Sequence, residues 1–450
     1  MERGDIREGP KVPLLTGDAP HLRVRRVGFA HHANRARLRG PGYFKRLGPG
    51  LVTGAADDDP SGIGTYSQVG AAFGLSLVWC APYVAPLAAA VQETAARLGL
   101  CRGEGLAALI RQRFPRVVLY GAVALVTIAN TFNIGADISA MGASAELVIP
   151  APAVLLAIVM TAIMLVLEIF VAYHRYAKVL RWLALSLLAY VFVLASIDID
   201  WGAVADHAVV PRFSGSRGEI AALLAVFGTT VSPYLFFWQA SEEVEEVEEQ
   251  HEQSATEIAN PSDDHMRAMR GDVVGGMVSA CVIAFAIMVS AASALHAVGI
   301  TDIATADQAA RALEPLAGNL AQLVFSLGVV GLGLLAVPVL AGATAYAIAE
   351  ALHWNEGLSR RFREAHGFYG VILFSMLVGL SLEFVGVDPI RGLYYAAILN
   401  AVAAPPIIVL MVMLARSESM GEHRSGNLSL ALCGIAVAVS VALPIAWLLT

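Results

Sequence analysis

Charge is scarce in this sequence. Asp, Glu, Lys and Arg make up 15% of the 450 residues, whereas soluble globular proteins carry about a quarter. Hydrophobic residues make up 57% of the chain instead. This balance excludes an ordinary soluble enzyme or binding module of the same length, and it predicts an all-α polytopic membrane protein.

Soft metal ligands in recognisable patterns are also missing. The four cysteines, Cys80, Cys101, Cys281 and Cys433, are far apart and form no CxxC motif. A disulfide framework or a thiolate metal site is therefore not expected, and the cysteines are interpreted as small buried hydrophobic residues. No pair of histidines has ligand spacing within an apolar run, so a histidine metal centre is not expected either.

The first 45 residues are polar and basic and contain Gly and Pro. They lack the apolar core and cleavage site of a secretory signal peptide, so we expect the first membrane helix to act as the insertion signal. We interpret 1–45 as a disordered cytoplasmic tail that touches anionic lipid, with a specific partner site as the alternative. Residues 46–450 then form the transmembrane domain.

Eleven apolar runs are long enough to cross a bilayer, which takes about 20 residues each. They lie at 47–72, 75–97, 117–141, 150–172, 178–198, 219–241, 272–296, 319–347, 367–386, 391–415 and 427–449. With the N-terminus in the cytoplasm, all but four of the 30 Lys and Arg residues lie on the cytoplasmic side; the exceptions are Arg212, Arg217, Arg311 and Arg391. The positive-inside rule therefore predicts a cytoplasmic N-terminus and an external C-terminus.

An acidic segment, 242–271, follows the sixth span and begins with EEVEEVEEQHEQ at 242–253. It is predicted to be a cytoplasmic loop. Most such runs are solvated helix faces. The alternative is that this one gathers cations at the cytoplasmic mouth of the protein.

Two of the eleven runs are interrupted at their centres. The first contains ADDDPSGIGTYS at 56–67, and the sixth contains GTTVSPYLFFWQAS at 228–241. Pro60 and Pro233 lack a backbone N–H, which favours a helix break at each place. An unwound backbone in the membrane is tolerated only where it is buried in protein or lines a wet cavity. Two such breaks, at corresponding places in two sets of five helices, indicate a cation site near the midplane.

Asp57, Asp58 and Asp59 precede the first break. Successive helical side chains diverge by about 100°, so only one carboxylate can face a single ion. Asp59, next to the break, is the first candidate, and the others are expected to face a vestibule or a neighbouring helix. The alternative is an external loop between two short interfacial helices, but the flanking apolar runs are too short to span alone.

The second break offers hydroxyl and carbonyl oxygens but no carboxylate, imidazole or thioether at its centre. Oxygen ligands suit Mg²⁺, Ca²⁺ and Mn²⁺, whereas sulfur favours later transition metals. Because Mg²⁺ releases water reluctantly, one carboxylate with several neutral oxygens suits a partly hydrated Mg²⁺ ion.

With these motifs the sequence resembles the Nramp (natural resistance-associated macrophage protein) family of divalent-metal transporters. The resemblance extends from GPGLVTGAADDDPSGIGTYSQVGAAFG through QETAARLGL to GTTVSP. It implies a LeuT-type fold, in which five helices are repeated in inverted orientation and followed by an eleventh, with helices 1 and 6 discontinuous. It also implies that the metal is the transported substrate and that no cofactor is needed.

Two family motifs are altered. The family has Asp-Pro-Gly-Asn in helix 1, where this chain has Asp59-Pro60-Ser61-Gly62. The family has Ala-Thr-Val-Met-Pro-His in helix 6, where this chain reads Thr229 to Tyr234 with Ser232 in place of the methionine. The resemblance implies backbone carbonyl ligands at Ala56 and Thr229. The candidate metal residues are Asp59, Ser232, Thr229, Ala56, Gly62 and Thr230, with Asp57, Asp58, Asp137, Tyr234 and Asn400 as vestibule or supporting residues.

The third helix also departs from the family, which has Asp and Glu on a proton route. Alignment on Met141-Gly142 places Ala136 and Ser139 there, with Asp137 beside them. Together the departures resemble the Nramp-related magnesium transporters, which implies a widened site for hydrated Mg²⁺ and no obligatory proton coupling. Asp137 is interpreted either as a replacement proton carrier or as the partner in a structural hydrogen bond. Asn130, Asn133 and Asn400 are interpreted as interhelical polar contacts or as pore groups.

The leading functional hypothesis is a Mg²⁺ transporter that works by alternating access, and the alternative is a proton-coupled Mn²⁺/Fe²⁺ importer. An intramembrane aspartyl protease would need Asp59 and Asp137 in contact to share a proton. An amino-acid symporter is disfavoured because the three aspartates repel a carboxylate substrate. We expect a monomer in the lipid bilayer of a prokaryotic plasma membrane, with divalent metal ions and no nucleic acid as partners.

Overall fold

The computed structural model describes residues 49–171, 187–254, 261, 263–358, 360, 362–386 and 388–450. The predicted tail at 1–45 and most of the predicted fifth span lie outside the described residues. Seventeen α-helices are defined in the described part of the chain. Numbered α1 to α17 in chain order, they are Pro49–Asp57, Pro60–Phe73, Cys80–Arg102, Leu106–Arg113, Arg116–Glu146, Ala153–Phe170, Leu188–Ser196, Trp201–Val209, Arg217–Thr230, Pro233–Ser254, Asp263–Ala294, Ala306–Ala310, Glu314–Ala317, Ala321–Leu352, His366–Leu382, Pro389–Ala415 and Asn427–Leu449.

The first membrane helix is broken where the sequence predicts. Helix α1 ends at Asp57 and α2 begins at Pro60. Asp59 has extended backbone angles, φ −62° and ψ 173°, and its side chain accepts a hydrogen bond from the Gly62 N–H. Aspartate at this capping position followed by proline at the first helical position is a favoured way to start a helix. The prediction of a discontinuous first helix is confirmed.

The sixth membrane helix is broken in the same way. Helix α9 ends at Thr230 and α10 begins at Pro233. Val231 leaves the helical conformation with φ −117° and ψ 60°, while its N–H still bonds to the Phe227 carbonyl. The second predicted break is therefore also confirmed. Each break therefore brings together in sequence the C-terminal end of one half-helix and the N-terminal end of the next, the two places where helix backbone groups lack intrahelical partners.

Among the described residues, eight helical stretches are long and apolar enough to cross a membrane. They are Arg116–Glu146, Ala153–Phe170, Arg217–Val247, Asp263–Val298, Ala306–Leu352, His366–Val385, Pro389–Ala415 and Asn427–Leu449. Each overlaps one of the eleven predicted spans.

The other three predicted spans differ for separate reasons. The first is divided between α1 and α2, with 9 and 14 residues, so neither half reaches the length of a full span. The second corresponds to α3, which has 23 residues but carries Gln92, Glu93 and Arg97 in its C-terminal half. Only the end of the fifth is described, as α7.

The acidic segment 242–271 differs from the predicted loop. Residues up to Ser254 continue α10, and residues from Asp263 belong to α11. Glu243 is buried and accepts a hydrogen bond from Gln239, and Glu245 accepts one from the Leu358 N–H at 2.8 Å. Part of the acidic run is therefore packed against the rest of the protein, because α10 continues through it and places these glutamates beside Gln239 and Leu358.

Glycines let the broken helices approach their neighbours closely. A Cβ atom added at Gly54 would lie 2.5 Å from the Gly276 carbonyl of α11, and one added at Gly228 would lie 1.9 Å from the Ala397 carbonyl of α16. Small residues of this kind allow membrane helices to pack backbone against backbone. These contacts fix α1 and α9 against α11 and α16.

Polar side chains join other helices. Arg97 forms an ion pair with Glu93 one turn away, and Arg270 of α11 lies 3.3 Å from the same carboxylate. The Asn130 amide donates to the Leu340 carbonyl at 3.2 Å and to the Thr344 hydroxyl at 2.9 Å. The interhelical interpretation of Asn130 is confirmed.

Candidate metal site

Asp59 lies at the centre of the first break and is almost fully buried. Its Oδ1 accepts hydrogen bonds from the Ser61 hydroxyl and from the Gly62 N–H at 2.9 Å. Its Oδ2 accepts one from the Asn133 amide at 3.1 Å and lies 3.4 Å from the Tyr234 hydroxyl. The carboxylate is thus held in place by groups from α2, α5 and α10.

Tyr234 joins the two breaks. Its hydroxyl donates to the Ala56 carbonyl at 3.0 Å and lies farther from Asp59. A phenol has one hydrogen to donate, so the nearer Ala56 carbonyl takes it. Oδ2 of Asp59 therefore keeps a lone pair that no strong donor occupies, and this lone pair is the position at which a cation can bind.

Ser232 and Thr229 lie at the second break. The Ser232 hydroxyl donates to the carbonyls of Gly228 at 2.7 Å and Thr229 at 2.9 Å. The Thr229 hydroxyl lies 3.2 Å from the Ser61 hydroxyl, which itself bonds to Asp59. The structure therefore connects Thr229 with Asp59 across the two breaks through Ser61, while the hydroxyl of Ser232, which lies between α9 and α10, bonds to the backbone at the end of α9.

Thr230 and Gly62 lie beside this group. The Thr230 hydroxyl bonds to the Val226 carbonyl at 2.8 Å and to the Tyr66 hydroxyl at 2.9 Å, so it connects with Tyr66 rather than with Asp59. A Cβ added at Gly62 would lie 3.7 Å from the Thr229 hydroxyl. It would also lie 3.3 Å from the Tyr66 ring and 3.4 Å from the Asp57 carbonyl oxygen, so a side chain at position 62 would be in contact with groups from both breaks.

Helix α5 supplies two polar side chains one turn apart, Asn133 and Asp137. The Asn133 side-chain amide donates to Asp59 and also to Asp137 Oδ2 at 3.3 Å. Its Oδ1 lies 3.5 Å from the side-chain amide nitrogen of Asn400 on α16. Asp137 interacts electrostatically with Asp59. Among the described residues, no hydrogen bond joins the two carboxyl groups directly, and the Asn133 amide serves both, unlike the shared proton of an aspartyl protease.

Asp57 and Asp58 are not at an open entrance. Their exposed fractions are 0% and 2%, so of the two surroundings expected for them, a vestibule or a neighbouring helix, the structure agrees with the neighbouring helix. The physical reason is that α1 and α2 pack along α11, which covers this side of the break. Both carboxylates interact electrostatically with Tyr66 and Cys281.

The two positions on α5 where the family has Asp and Glu hold Ala136 and Ser139 in this chain. Ala136 is buried, and the Ser139 hydroxyl donates to the Glu383 carboxylate beyond the end of α15. An acid therefore does lie near position 139, but it comes from a different helix.

Sequence reasoning gave too little weight to Asn133 and Ser61. Each bonds directly to Asp59, and Asn133 reaches it from another helix. One signal was available for Asn133: it lies four residues before Asp137, so both share one helix face. Nothing in the sequence says that this face is turned toward the break.

The arrangement is rich in oxygen atoms. The groups found around Asp59 are its carboxylate, hydroxyls and backbone carbonyls. Within the described part of the chain, no three or more His, Cys, Asp and Glu side chains lie close enough together to hold a metal ion. A cation at this place would therefore be held by few charges and several neutral oxygens.

Comparison with known proteins agrees with this organisation. Residues 50–450 match the family described as natural resistance-associated macrophage protein-like. The chain is 28% identical over 385 residues to the divalent metal cation transporter MntH of Klebsiella pneumoniae (strain 342), with 84% of this chain and 87% of the relative covered. It is 29% identical over 398 residues to MntH of Pectobacterium carotovorum, with 85% and 88% covered.

Two solved structures share the architecture. A manganese transporter of Eremococcus coleocola, in complex with an aromatic bis-isothiourea substituted compound, superposes with a TM-score of 0.72 at 16% identity, covering 90% of this chain and 87% of that one. Mhp1, a nucleobase-cation-symport-1 family transporter, superposes with a TM-score of 0.56 at 14% identity, covering 92% and 94%. The predicted all-α LeuT-type membrane fold is confirmed. Because the family match extends from residue 50 to residue 450, the chain belongs to the natural resistance-associated macrophage protein-like (Nramp) family.

Proposed function

We propose that the protein is a secondary transporter of divalent metal cations that carries Mg²⁺, partly hydrated, by alternating access and without obligatory proton coupling. The observation that carries the proposal is the hydroxyl of Ser232, which occupies the family's methionine position and bonds to the carbonyls of Gly228 and Thr229. No thioether is available there to bind a softer ion preferentially.

The donor set favours a hard cation. Asp59 supplies one carboxylate, and Ala56, Thr229 and Ser61 supply neutral oxygens around it. Mg²⁺ is usually bound by one or two carboxylates while it keeps several waters.

Tyr234 supports transport without a proton. It stands where the family has a histidine, and its hydroxyl binds Ala56 and approaches Asp59. An imidazole changes charge near neutral pH, whereas a phenol does not. With tyrosine at this place, metal binding does not have to displace a proton from a neighbouring base.

A proton-coupled Mn²⁺/Fe²⁺ importer is the second candidate, and the relatives favour it over the Mg²⁺ proposal. Both bacterial relatives are named divalent metal cation transporters, and the superposing structure is of a manganese transporter. Asp137, which shares the Asn133 amide with Asp59, would be the acid that carries the proton in this case.

In either case the protein is an integral membrane transporter and not an enzyme, and the metal is its substrate instead of a bound cofactor. The orientation follows from the positive-inside pattern: a cytoplasmic N-terminus and an external C-terminus. We further propose that the protein functions as a monomer.

The deciding experiment is ion flux into proteoliposomes that hold the purified full-length protein and an internal pH dye. Mg²⁺ and Mn²⁺ gradients are applied separately. Mg²⁺ uptake without internal acidification supports the proposal. Mn²⁺ uptake with acidification and no Mg²⁺ flux overturns it and establishes the second candidate.

The matched control is Asp59→Asn. Asparagine is as good a helix cap as aspartate, so this variant keeps the start of α2 while it removes the charge from the site. Flux that persists in Asp59→Asn liposomes comes from leakage or from a different site.

A further inference from the structure

A buried carboxyl group outside the metal site joins three helices. Glu350 lies near the end of α14 and is 3% exposed. Its Oε1 accepts a hydrogen bond from the Ser241 hydroxyl of α10 at 2.8 Å, and its Oε2 accepts one from the Ala108 N–H of α4 at 3.0 Å. Burial of a carboxyl group is costly unless such bonds are made, so the carboxyl group of Glu350 is fixed by α10 and α4 together.

Helix α4 provides a seat for this carboxyl group. The Ala108 N–H lies in the first turn of α4, where backbone N–H groups have no partner within the helix. A Cβ atom added at Gly105 would lie 1.8 Å from Oε1 of Glu350. Gly105 has φ −70° and ψ 169°, which alanine adopts without strain. Glycine at this position therefore provides space for the carboxyl group, and any larger residue would displace it.

Ser241 lies on the same face of α10 as Tyr234. The two residues are seven positions apart, which is about 20° short of two full turns and about 10 Å along the helix. The Tyr234 hydroxyl donates to the Ala56 carbonyl across the two breaks. Because α10 is one continuous helix from Pro233 to Ser254, a displacement at Ser241 also moves Tyr234.

This face of α10 packs along one stripe of α14. A Cβ atom added at Gly342 would lie 2.7 Å from the Trp238 ring, and the rings of Trp238 and Tyr346 meet edge to face at 6.1 Å. Gly342, Tyr346 and Glu350 are spaced by four residues, so they share one side of α14. Apolar packing has no preferred direction, whereas the Ser241–Glu350 hydrogen bond is directional and fixes the register of α10 on α14.

The other side of α10 is bonded to α1 and α3. Gln239 precedes Ser241 by two residues and so points about 160° away from it. Its Oε1 accepts a hydrogen bond from the Thr53 hydroxyl of α1 at 2.6 Å, and the Gln92 amide of α3 donates to the Leu235 carbonyl at 3.0 Å. The bond to Glu350 therefore resists a shift of α10 toward α1 and α3.

We propose that Glu350 is a positioning residue for the metal site, acting through Ser241 and α10 on Tyr234. With this bond in place, α10 is fixed on α14 and α4, and the Tyr234 hydroxyl stays at the Ala56 carbonyl beside Asp59. The proposal rests on the metal site proposed at Asp59, but it does not depend on which divalent ion is transported.

Three variants break the contact in independent ways. Ser241→Ala removes the donor, and Glu350→Ala removes the acceptor. Gly105→Ala displaces the carboxyl group while both bonding partners remain. In a Glu350→Ala background, Gly105→Ala should have no further effect, because the group it displaces is already missing.

Two controls separate position from charge and from stability. Glu350→Gln keeps the contact without the charge, since its amide oxygen accepts from the Ala108 N–H and its NH₂ group donates to the Ser241 hydroxyl. Thr344→Val changes α14 elsewhere, because it removes the hydroxyl that bonds to Asn130 of α5 at 2.9 Å.

The test is the dissociation constant of the purified full-length protein for Mg²⁺ and for Mn²⁺, measured beside thermal unfolding. The three contact variants should bind the ion about tenfold more weakly, as expected for loss of one hydrogen bond to a carboxylate. Glu350→Gln should keep the affinity of the unaltered protein, and Thr344→Val should lower stability alone.

Unchanged affinity in Ser241→Ala overturns the proposal. Equal weakening in Glu350→Gln and Glu350→Ala shows an effect of charge, and equal weakening in Thr344→Val shows general destabilisation; either result also overturns it. If Glu350→Ala does not fold, Ser241→Ala and Gly105→Ala decide the question, since both keep the carboxyl group.

A measurement without metal separates this proposal from the transport proposal. Fluorine NMR of a ring-fluorinated tyrosine at position 234 reports the surroundings of that ring, and the resonance should shift in Ser241→Ala and Gly105→Ala but not in Thr344→Val. Such a shift in a protein that binds neither ion would support the positioning of Tyr234 and reject the metal site. An unchanged resonance with unchanged metal binding would reject the positioning role and leave the transport proposal intact.

Discussion

The Asn133 amide donates to Asp59 at 3.1 Å from a different helix, and it donates to Asp137 at 3.3 Å within its own helix. One amide group thus connects the helix break to Asp137, an acid of α5 that interacts electrostatically with Asp59. The Asn133 amide therefore helps to orient the Asp59 carboxyl group at the break.

Replacement of Asn133 by alanine should weaken metal binding. The loss of one charge-assisted hydrogen bond of about 1.5 kcal/mol corresponds to an increase in KM of about tenfold. The measurement is metal uptake into proteoliposomes over a range of concentrations. Asn130→Ala is the matched control, because Asn130 lies one turn away on α5 but bonds to Leu340 and Thr344. It should lower thermal stability and leave KM unchanged; an equal rise in KM in both variants would contradict the assignment.

Asp59 has two tasks that two substitutions separate. Asp59→Ala removes the charge and also the helix cap, so it should abolish uptake and destabilise the fold by about 1 kcal/mol. Asp59→Asn should abolish uptake equally and retain stability. Uptake is measured in proteoliposomes and stability by thermal unfolding in detergent. Transport that survives in Asp59→Asn would move the site to Asp57 or Asp58.

The position of the breaks followed from the sequence because proline acts locally. Pro60 and Pro233 each begin the second half of a broken helix, as their missing N–H groups and fixed φ require. Asp59 was selected because it lies next to the first break, and the structure adds that it caps α2. Local chemistry was enough for these three residues.

The surroundings of the other site residues could not be predicted, because they depend on which face each helix turns toward its neighbours. Ser232 was predicted to be a ligand, yet its hydroxyl bonds to its own backbone, which is a choice of rotamer that sequence does not reveal. Asp57 and Asp58 were expected either at a vestibule or against a neighbouring helix, and only the packing along α11 shows that they are buried. Asn133 was one of several membrane asparagines, and only the orientation of α5 sets it apart from Asn130.

Ser232→Met should shift ion preference toward Mn²⁺. The thioether is a soft ligand that binds a transition metal more strongly than Mg²⁺. The substitution also removes the hydroxyl that bonds to the Thr229 carbonyl. Competition of Mn²⁺ against Mg²⁺ uptake provides the measurement, and Ser232→Ala is the control for loss of the hydroxyl alone. Mn²⁺ competition that does not change in Ser232→Met would count against the role given to this position.

Glu356, outside the membrane-spanning segments, should make stability depend on pH. Burial, followed by the nearby Glu350, raises the pKa of Glu356 to about 9. An unfolded glutamate has a pKa of about 4.3, so the folded state holds an extra proton between these values and loses stability as pH rises through that range.

Glu356→Gln removes this loss. The variant should match the unaltered protein at pH 4 and exceed it at pH 8, by about 1 kcal/mol because the side chain is partly exposed and Arg111 opposes the effect. Thermal unfolding at the two pH values measures the difference. The exposed Glu314→Gln is the control; a gain for Glu356→Gln that is the same at both pH values would show a packing effect and not a titration.

Gly228 sets the distance between α9 and α16 and thereby the position of Thr229. A Cβ at Gly228 would lie 1.9 Å from the Ala397 carbonyl and 2.7 Å from the Ala401 Cβ, so backbone must move to admit it. Gly228→Ala should cost about 1–3 kcal/mol and reduce uptake, because the displaced α9 carries Thr229 away from Ser61. Gly121→Ala on α5 is the matched control: no atom lies within 4 Å of its added Cβ, and alanine favours a helix over glycine by about 1 kcal/mol. Thermal unfolding and uptake are measured for both variants. If Gly228→Ala retains full uptake despite lower stability, the close approach of α9 to α16 serves folding alone and does not position the metal site.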